Sequence, residues 1–403
     1  MSDARKMFAG LAVGAAAGLA VSRAGPAVAE PLVAVARQVG MVWLHALQMT
    51  VVPLVVSLLV VGVTQAADAA ATGRLTRRAL AWILALSTAS AALTAVVAPR
   101  LLDALPRSPG LVAEFDNAVA GPAVEPLAGG LAALVPKNVV AAAAAGAVAP
   151  LVFFTLCFSF ALVTLEPARR EAVVGIAQAV AEAMTVIVGW VLRCGPIGVM
   201  ALILPVTVRS GAAALGVLGV YVVLLVAVYL LITALLYVVV RFASAIPVGR
   251  FAAAILPAQV VAAGTQSSLA TLPAMLEAAR TLGLPDRAGR LVLPLAVSLF
   301  RVTSPAQYLA VAAFIAWVRG VELAPATLAV AVVMSVAISL GSVGLPGQAV
   351  FMSTILPIVQ AAGLPVEPLG LLLAVDLIPD VFATVGNVTG DLAVAGAVGR
   401  DES

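Results

Sequence analysis

Charge is scarce in this chain. Asp, Glu, Lys and Arg make up 10% of its 403 residues, against about 25% in soluble domains, which excludes a water-solvated globule. Histidine occurs once, as His45, so a Ser–His catalytic pair has a single ring to draw on. Cys157 and Cys194 are the two cysteines, and both lie inside apolar runs; they read as small packed hydrophobes rather than a disulfide. A formal charge of +3 spread among loops implies no nucleic-acid partner. What fills the sequence instead is apolar: 63% of residues, with a mean hydropathy of +1.16. Stretches of roughly 20 apolar residues, enough to cross about 30 Å of hydrocarbon as helix, recur along nearly the whole length. The bilayer itself is thus the first partner. Helices satisfy their own backbone there, so strands are not expected.

Spans are expected near 7–22, 41–66, 80–98, 139–165, 172–203 and 214–240, followed by a less regular part with long helices near 291–318 and 368–398. The first stretch, "MFAGLAVGAAAGLAV", follows Arg5 and Lys6 and reads as a spanning helix rather than a signal peptide, because further spans follow. Arg5, Lys6, Arg74, Arg77, Arg78, Arg169, Arg170, Arg241, Arg250, Arg280, Arg287, Arg290 and Arg400 fall on one side, against Arg23, Arg37, Arg100, Arg107, Arg209 and Arg319 on the other. The richer side is expected to be cytoplasmic, with both termini inside and eight full crossings.

That count requires two apolar segments to enter and leave on one side. The segment 251–279 breaks at "GTQSS", leaving a first arm of about 14 residues, or roughly 21 Å, too short to cross. The segment 327–362 breaks at "GSVGLPGQ", Gly341 to Gln348. Each expected re-entrant hairpin precedes a long helix with its own interruption, at "SLFRVTSP" (Ser298 to Pro305) and at "TVGN" (Thr384 to Asn387). Inverted repeats with discontinuous helices at mid-membrane are the mark of secondary transporters.

The last helix carries "DLIPDVFATVGNVTGD". Asp376, Asp380, Thr384, Asn387 and Asp391 follow helical spacing and share one face. An ionised group at the bilayer centre costs at least about 2.5–3.5 kcal/mol, whereas polar contacts between membrane helices contribute about 0.6 kcal/mol on average. Three carboxylates are therefore better read as lining a polar cavity than as glue. Carboxylates, amides and freed carbonyls are hard oxygen donors suited to cations and ammonium groups.

At this point the chain resembles the glutamate transporter family, the dicarboxylate/amino acid:cation symporters. The resemblance covers nearly the whole length, and homologues of that family are among the type cases of the inverted-repeat rule. "TQSSLATLP" (Thr265 to Pro273) is similar to the family's serine-rich first hairpin tip, "GSVGLPGQ" to its glycine-rich second tip, and "DLIPDVFATVGNVTGD" to its last helix. "LQMTVVPLVVSLLVVG", "VPKNVVAAAAAGAVAPLVFF" and "CGPIGVMALI" match more weakly.

The resemblance implies an all-α membrane protein with eight transmembrane helices, two re-entrant helical hairpins and inverted repeats. It also implies a homotrimer in the inner membrane that works by an elevator motion, and no enzyme. Scaffold helices 1–2 would occupy residues 1–70, transport-unit helix 3 residues 71–105, scaffold helices 4–5 residues 106–212, and the rest of the transport unit residues 213–403. The substrate implied is an amino acid or small carboxylate. Asp380 would accept its amino group, Thr384 and Asn387 would bind the remainder, and Ser267, Ser268 and Gly344 would close around it. For a coupling ion, Na+ or H+ with no other cofactor, the implied positions are Asp376, Asn387 and Asp391, with Ser87 and Thr88 by spacing, and Ser298 and Ser342 near a carbonyl-rich site.

The chain also departs from the family. Where members have N-M-D-G-T, it reads Phe300, Arg301, Val302, Thr303 and Ser304, so an amide and a carboxylate are gone. A permanently charged guanidinium at mid-membrane needs acidic partners. Arg301 could reach Asp376 or Asp391 as a tethered cation, pair with an anionic substrate group, or merely satisfy buried carbonyls. Ala383 stands where members selecting acidic amino acids have an Arg, and Gln266 at the first tip does not replace that charge. His45 is read as packing or interfacial, with a proton relay as its alternative. Competing functions are an anion channel or leak and a non-transporting sensor of the same fold. An intramembrane aspartyl protease is disfavoured because its two carboxylates must face each other from separate helices.

Overall fold

The computed structural model describes residues 3–105, 134–244, 246–341 and 347–400. Every regular element among them is helical. In chain order these are α1 (Asp3–Val21), α2 (Pro26–Gln48), α3 (Val51–Thr72), α4 (Arg74–Asp103), α5 (Val139–Ala144), α6 (Val148–Val163), α7 (Pro167–Arg193), α8 (Gly195–Ser210) and α9 (Ala213–Ala243). They continue with α10 (Val248–Thr265), α11 (Ser268–Leu282), a π-helical turn (Ala288–Val292), α12 (Leu293–Leu299), α13 (Thr303–Arg319), α14 (Pro325–Gly341), α15 (Gly347–Ala361), α16 (Leu369–Val375) and α17 (Leu377–Gly399). Among the described residues, seven stretches of helix are long and apolar enough to cross a membrane: Pro26–Thr72, Arg74–Asp103, Pro167–Arg193, Ala214–Ala243, Val248–Thr265, Ala288–Arg319 and Leu377–Gly399.

Boundaries follow local chemistry. Asn138 caps α5, its side chain accepting from the N–H groups of Val140 and Ala141. Gly146, with φ +66°, then turns the chain into α6. The expected single span at 172–203 is two helices that meet at Cys194. Upstream of the expected span at 41–66 lies a further helix, so α2 and α3 run almost continuously. Both cysteines are exposed and unpaired, correcting their assignment to the core. On a membrane helix the outward face is as apolar as the inward one, so an apolar run does not tell the two apart.

Helices α13 and α17 are buried nearly all round and form the centre of the molecule. Around them, α4 packs against α13, and α9, α10 and α11 pack against α17. On another side, α3 packs against α6 and α7, while α8 packs against α1 and α2. Helix α14 bridges the two groups, touching α3 as well as α4 and α13. Its crossing with α3 is a backbone-on-backbone contact: a Cβ on Gly62 would lie 2.6 Å from Gly341 Cα and 2.7 Å from the Leu340 carbonyl oxygen. Gly62→Ala is therefore expected to force the helices apart and cost about 1–3 kcal/mol. Gly189→Ala on α7, where nothing stands within 4 Å, gains up to about 1 kcal/mol. Thermal melts of the two purified variants check the contrast.

The helical breaks lie partly where the sequence places them. After α12, Phe300 is extended (φ −124°, ψ 125°) before α13 begins at Thr303, as expected for "SLFRVTSP". The last helix, however, runs unbroken through Thr384–Asn387, and its interruption lies at Asp376 between α16 and α17. Proline explains the shift: Pro379 has no N–H to offer the Val375 carbonyl, whereas Gly386 costs a helix only about 1 kcal/mol. The expected break at 341–348 falls largely on residues outside those described, as do Ser342 and Gly344.

Candidate functional site

The site is built where the α12–α13 break crosses α17. Two glycines permit that crossing. A Cβ on Gly386 would lie 2.8 Å from Thr303 Cγ2, and one on Gly390 would lie 3.0 Å from the Phe300 ring. Small residues one turn apart let helix backbones approach in this way. The first N–H of α13 is then satisfied from outside its own helix: Asn387 Oδ1 accepts from Thr303 N (3.1 Å) and from Thr303 Oγ1 (2.9 Å). Ser90 Oγ on α4 donates to the Val302 carbonyl at 2.6 Å. The Asn387 oxygen expected to serve a cation is thus engaged in capping. Thr303→Val should lower stability by about 1 kcal/mol, read as a fall in melting temperature.

Asp376 sits at the hinge, 4% exposed. Tyr221 donates its hydroxyl to Oδ1 at 3.1 Å, and Gln307 Nε2 donates to both oxygens at 3.0 Å. Its partners are neutral donors, and the charge that acts on it is that of Asp380. Arg301 acts instead on Asp380 and Asp391. These two are eleven residues apart, about 16 Å along the helix, and Arg301 itself lies in the break between α12 and α13. Asp380 is half-buried, and its carboxylate makes no hydrogen bond among the described residues. Its backbone carbonyl takes the hydroxyl of Thr384 at 2.8 Å. Asp391, the acid nearest the far end of the stripe, is fully buried and neither carboxylate oxygen has a hydrogen-bond partner.

The first hairpin is an α10–α11 pair whose turn is Gln266 and Ser267. Gln266 is the one non-glycine residue with positive φ among those described, at +51°. Its side chain repays that strain by donating to the Leu377 carbonyl at 2.9 Å, pinning the tip to the start of α17. Ser267 caps α11 through Ala270 N–H, and Ser268 is half-buried beside it. One turn from the tip's anchor, Ile378, Val381 and Phe382 line a cavity of about 640 Å³ with Ala263 to Gln266. That cavity lies on the apolar side of α17 and does not include the acidic stripe.

Not every expected residue joins this cluster. Ser87 is buried on α4, but Thr88 is exposed, because neighbours on a helix point about 100° apart; Ser90 and Thr94 continue the inward face. Ser298 is exposed and donates to the Pro294 carbonyl at 2.6 Å. Tyr221, Gln307, Ser90 and Thr303 were not singled out by sequence. For Gln307 a signal existed, a lone amide in an apolar helix just after a break; for Tyr221 there was none, since tyrosine is common in apolar helices near their ends.

Apolar helices throughout, buried carboxylates and a charged helix break together fit a multi-pass membrane transporter. The sequence matches the sodium:dicarboxylate symporter family over residues 4–401. The chain belongs to that family. Among characterised relatives, the proton/glutamate–aspartate symporter of Escherichia coli K12 is 28% identical over 360 residues, covering 87% of this chain and 82% of that protein. The proton/sodium–glutamate symport protein of Bacillus caldotenax is 25% identical over 402 residues, 97% of this chain and 92% of its own. Neutral amino acid transporter A of Bos taurus is 34% identical over 254 residues, which is 61% of this chain and 47% of the relative.

Proposed function

We propose that this protein is a symporter that carries an amino acid, or a related small carboxylate, across the inner membrane, with Asp380 as the group that takes the substrate's ammonium. The observation that carries this reading is a half-buried carboxylate without a hydrogen-bond partner among the described residues, beside a helix break. An ammonium in a dry pocket needs a counter-charge, and Asp380 is the stripe's acid that is neither held by neutral donors, as Asp376 is, nor sealed away, as Asp391 is. The Asn387 oxygen is occupied, which leaves its amide N–H groups to face a carboxylate. Ala383 supplies no cation for an acidic side chain, so a neutral amino acid is the favoured substrate. The relatives include proteins named for either class.

Cation coupling is altered. Asp391 is a buried hard oxygen donor whose two oxygens take no hydrogen bond among the described residues, a chemistry suited to a cation, but Phe300 and Val302 replace the amide and carboxylate that the family resemblance implies beside it. Arg301, whose charge acts on Asp391, serves as a tethered cation in place of one bound ion. The remaining coupling ion is Na+ or H+.

The transport unit comprises residues 71–105 and 213–403 and slides against a scaffold of residues 1–70 and 106–212 in each protomer of a homotrimer, with both termini cytoplasmic. Support comes from the packing of α4, α9, α10 and α11 around α13 and α17, while α1 and α2 pack mainly on α8. The first hairpin's leading arm has 18 residues, about 27 Å, so length alone does not forbid a crossing; the return of α11 along α10 supports re-entry. A ligand panel of acidic and neutral amino acids on purified, reconstituted protein, with and without sodium at two pH values, tests the reading. Saturable, substrate-specific uptake is expected. Ohmic conductance without substrate would favour a channel, and no binding at all a sensor.

A further inference from the structure

Tyr229 lies on α9, two turns from Tyr221 and at the heart of the molecule. It is 0% exposed, and its hydroxyl has no hydrogen-bond partner among the described residues. A buried tyrosine hydroxyl is normally paired, and an unpaired one is a specific cost that calls for an explanation. The groups acting on it are Asp376, Asp380 and Tyr308. Thr233, one turn further along α9, stands against Gly386, which sets Tyr229 at the level of the acidic stripe's upper half.

The two carboxylates differ in what they can accept. Asp376 already takes three hydrogen bonds from Tyr221 and Gln307. Asp380 takes none among the described residues. Tyr308, from α13, is itself otherwise engaged. The donor without an acceptor and the acceptor without a donor therefore sit on two helices, α9 and α17, that pack along one another.

We infer that Tyr229 is a positioning residue for substrate: its hydroxyl donates to the Asp380 carboxylate in the loaded protein and fixes the oxygen that receives the ammonium. This rests on the role of Asp380 proposed above and adds a specificity determinant to it. In the empty protein the hydroxyl is left waiting, at a cost to stability that binding recovers. Tyr221 and Tyr229, two tyrosines on one helix face, thus have opposite parts, one holding a hinge carboxylate permanently and the other engaging only with cargo.

The test compares Tyr229→Phe, Tyr221→Phe and Asp380→Asn in reconstituted protein, with L-alanine, L-serine and L-aspartate as probes and L-lactate, L-glycerate and L-malate as analogues bearing a hydroxyl in place of the amine. Tyr229→Phe should melt at or above the parent's temperature when empty, gain less from the amino acid, and raise its apparent KM by roughly tenfold or more, the size of a hydrogen bond to a charged group. Its preference for the amine over the hydroxyl analogue should narrow in step. Tyr221→Phe should instead melt lower, with that preference intact. If Tyr229→Phe lowers the empty protein's melting temperature and leaves the amine preference alone, the hydroxyl is structural and the inference is overturned. If Asp380→Asn also leaves amino-acid binding intact, the parent reading fails with it, so the two failures are told apart.

Discussion

Asp380→Asn should abolish saturable uptake of the amino-acid substrate while leaving the protein folded. Removing one partner of a buried charge pair costs about 3–5 kcal/mol, which at about 1.4 kcal/mol per decade is roughly two to three and a half orders of magnitude in affinity. Stability should hold or rise, because the carboxylate has no hydrogen bond among the described residues to lose and its burial is unfavourable in the empty state. Binding of the amino acid by calorimetry, alongside a melt of the empty variant, checks both halves. A variant that binds the amino acid as tightly as the parent would remove Asp380 from the site. Asp380→Glu is the companion: it keeps the charge but moves it by one methylene, and should bind with an intermediate loss.

Arg301→Met should have the second large effect, and of a different kind. Asp391 is fully buried with both oxygens lacking hydrogen bonds, and Arg301 supplies a positive charge that acts on it and on Asp380. Deleting the guanidinium leaves a buried charge uncompensated, an expected loss of about 3–5 kcal/mol. Met restores a side chain of similar length, so the fall in melting temperature reports the charge rather than a void. If Arg301 stands in for a bound ion, sodium should then stabilise Arg301→Met in a saturable way and restore part of its uptake, while the parent responds weakly. Adding Asp391→Asn should recover most of the lost stability, because the charge that needed neutralising is gone. A parent protein whose uptake collapses without sodium would overturn the tethered-cation role.

Much of this architecture is legible in residues alone. Helix follows from hydropathy, since no other single segment satisfies its backbone in lipid. The α12–α13 break could be read from "SLFRVTSP", where polar residues and a proline interrupt apolar text. The acidic stripe could be read from spacing. The break in the last helix was misplaced because Gly386 in "TVGN" looks like a weak point, although proline, lacking a donor, breaks a helix more decisively. Thr88, paired with Ser87 by spacing, lies on the exposed face of α4, because adjacency in sequence is not adjacency on a helix.

Composition and spacing determined that this chain lives in the bilayer as helix and that Asp376, Asp380 and Asp391 share one face, because hydrophobic transfer and the 3.6-residue period act locally. Which of those acids is held, which is poised and which is sealed was decided by the tertiary structure. The deciding groups, Tyr221 and Gln307 on Asp376 and the Arg301 charge on Asp380 and Asp391, come from segments far away in sequence. A hydrogen bond depends on distances of a few tenths of an ångström, and helix packing alone brings such groups that close.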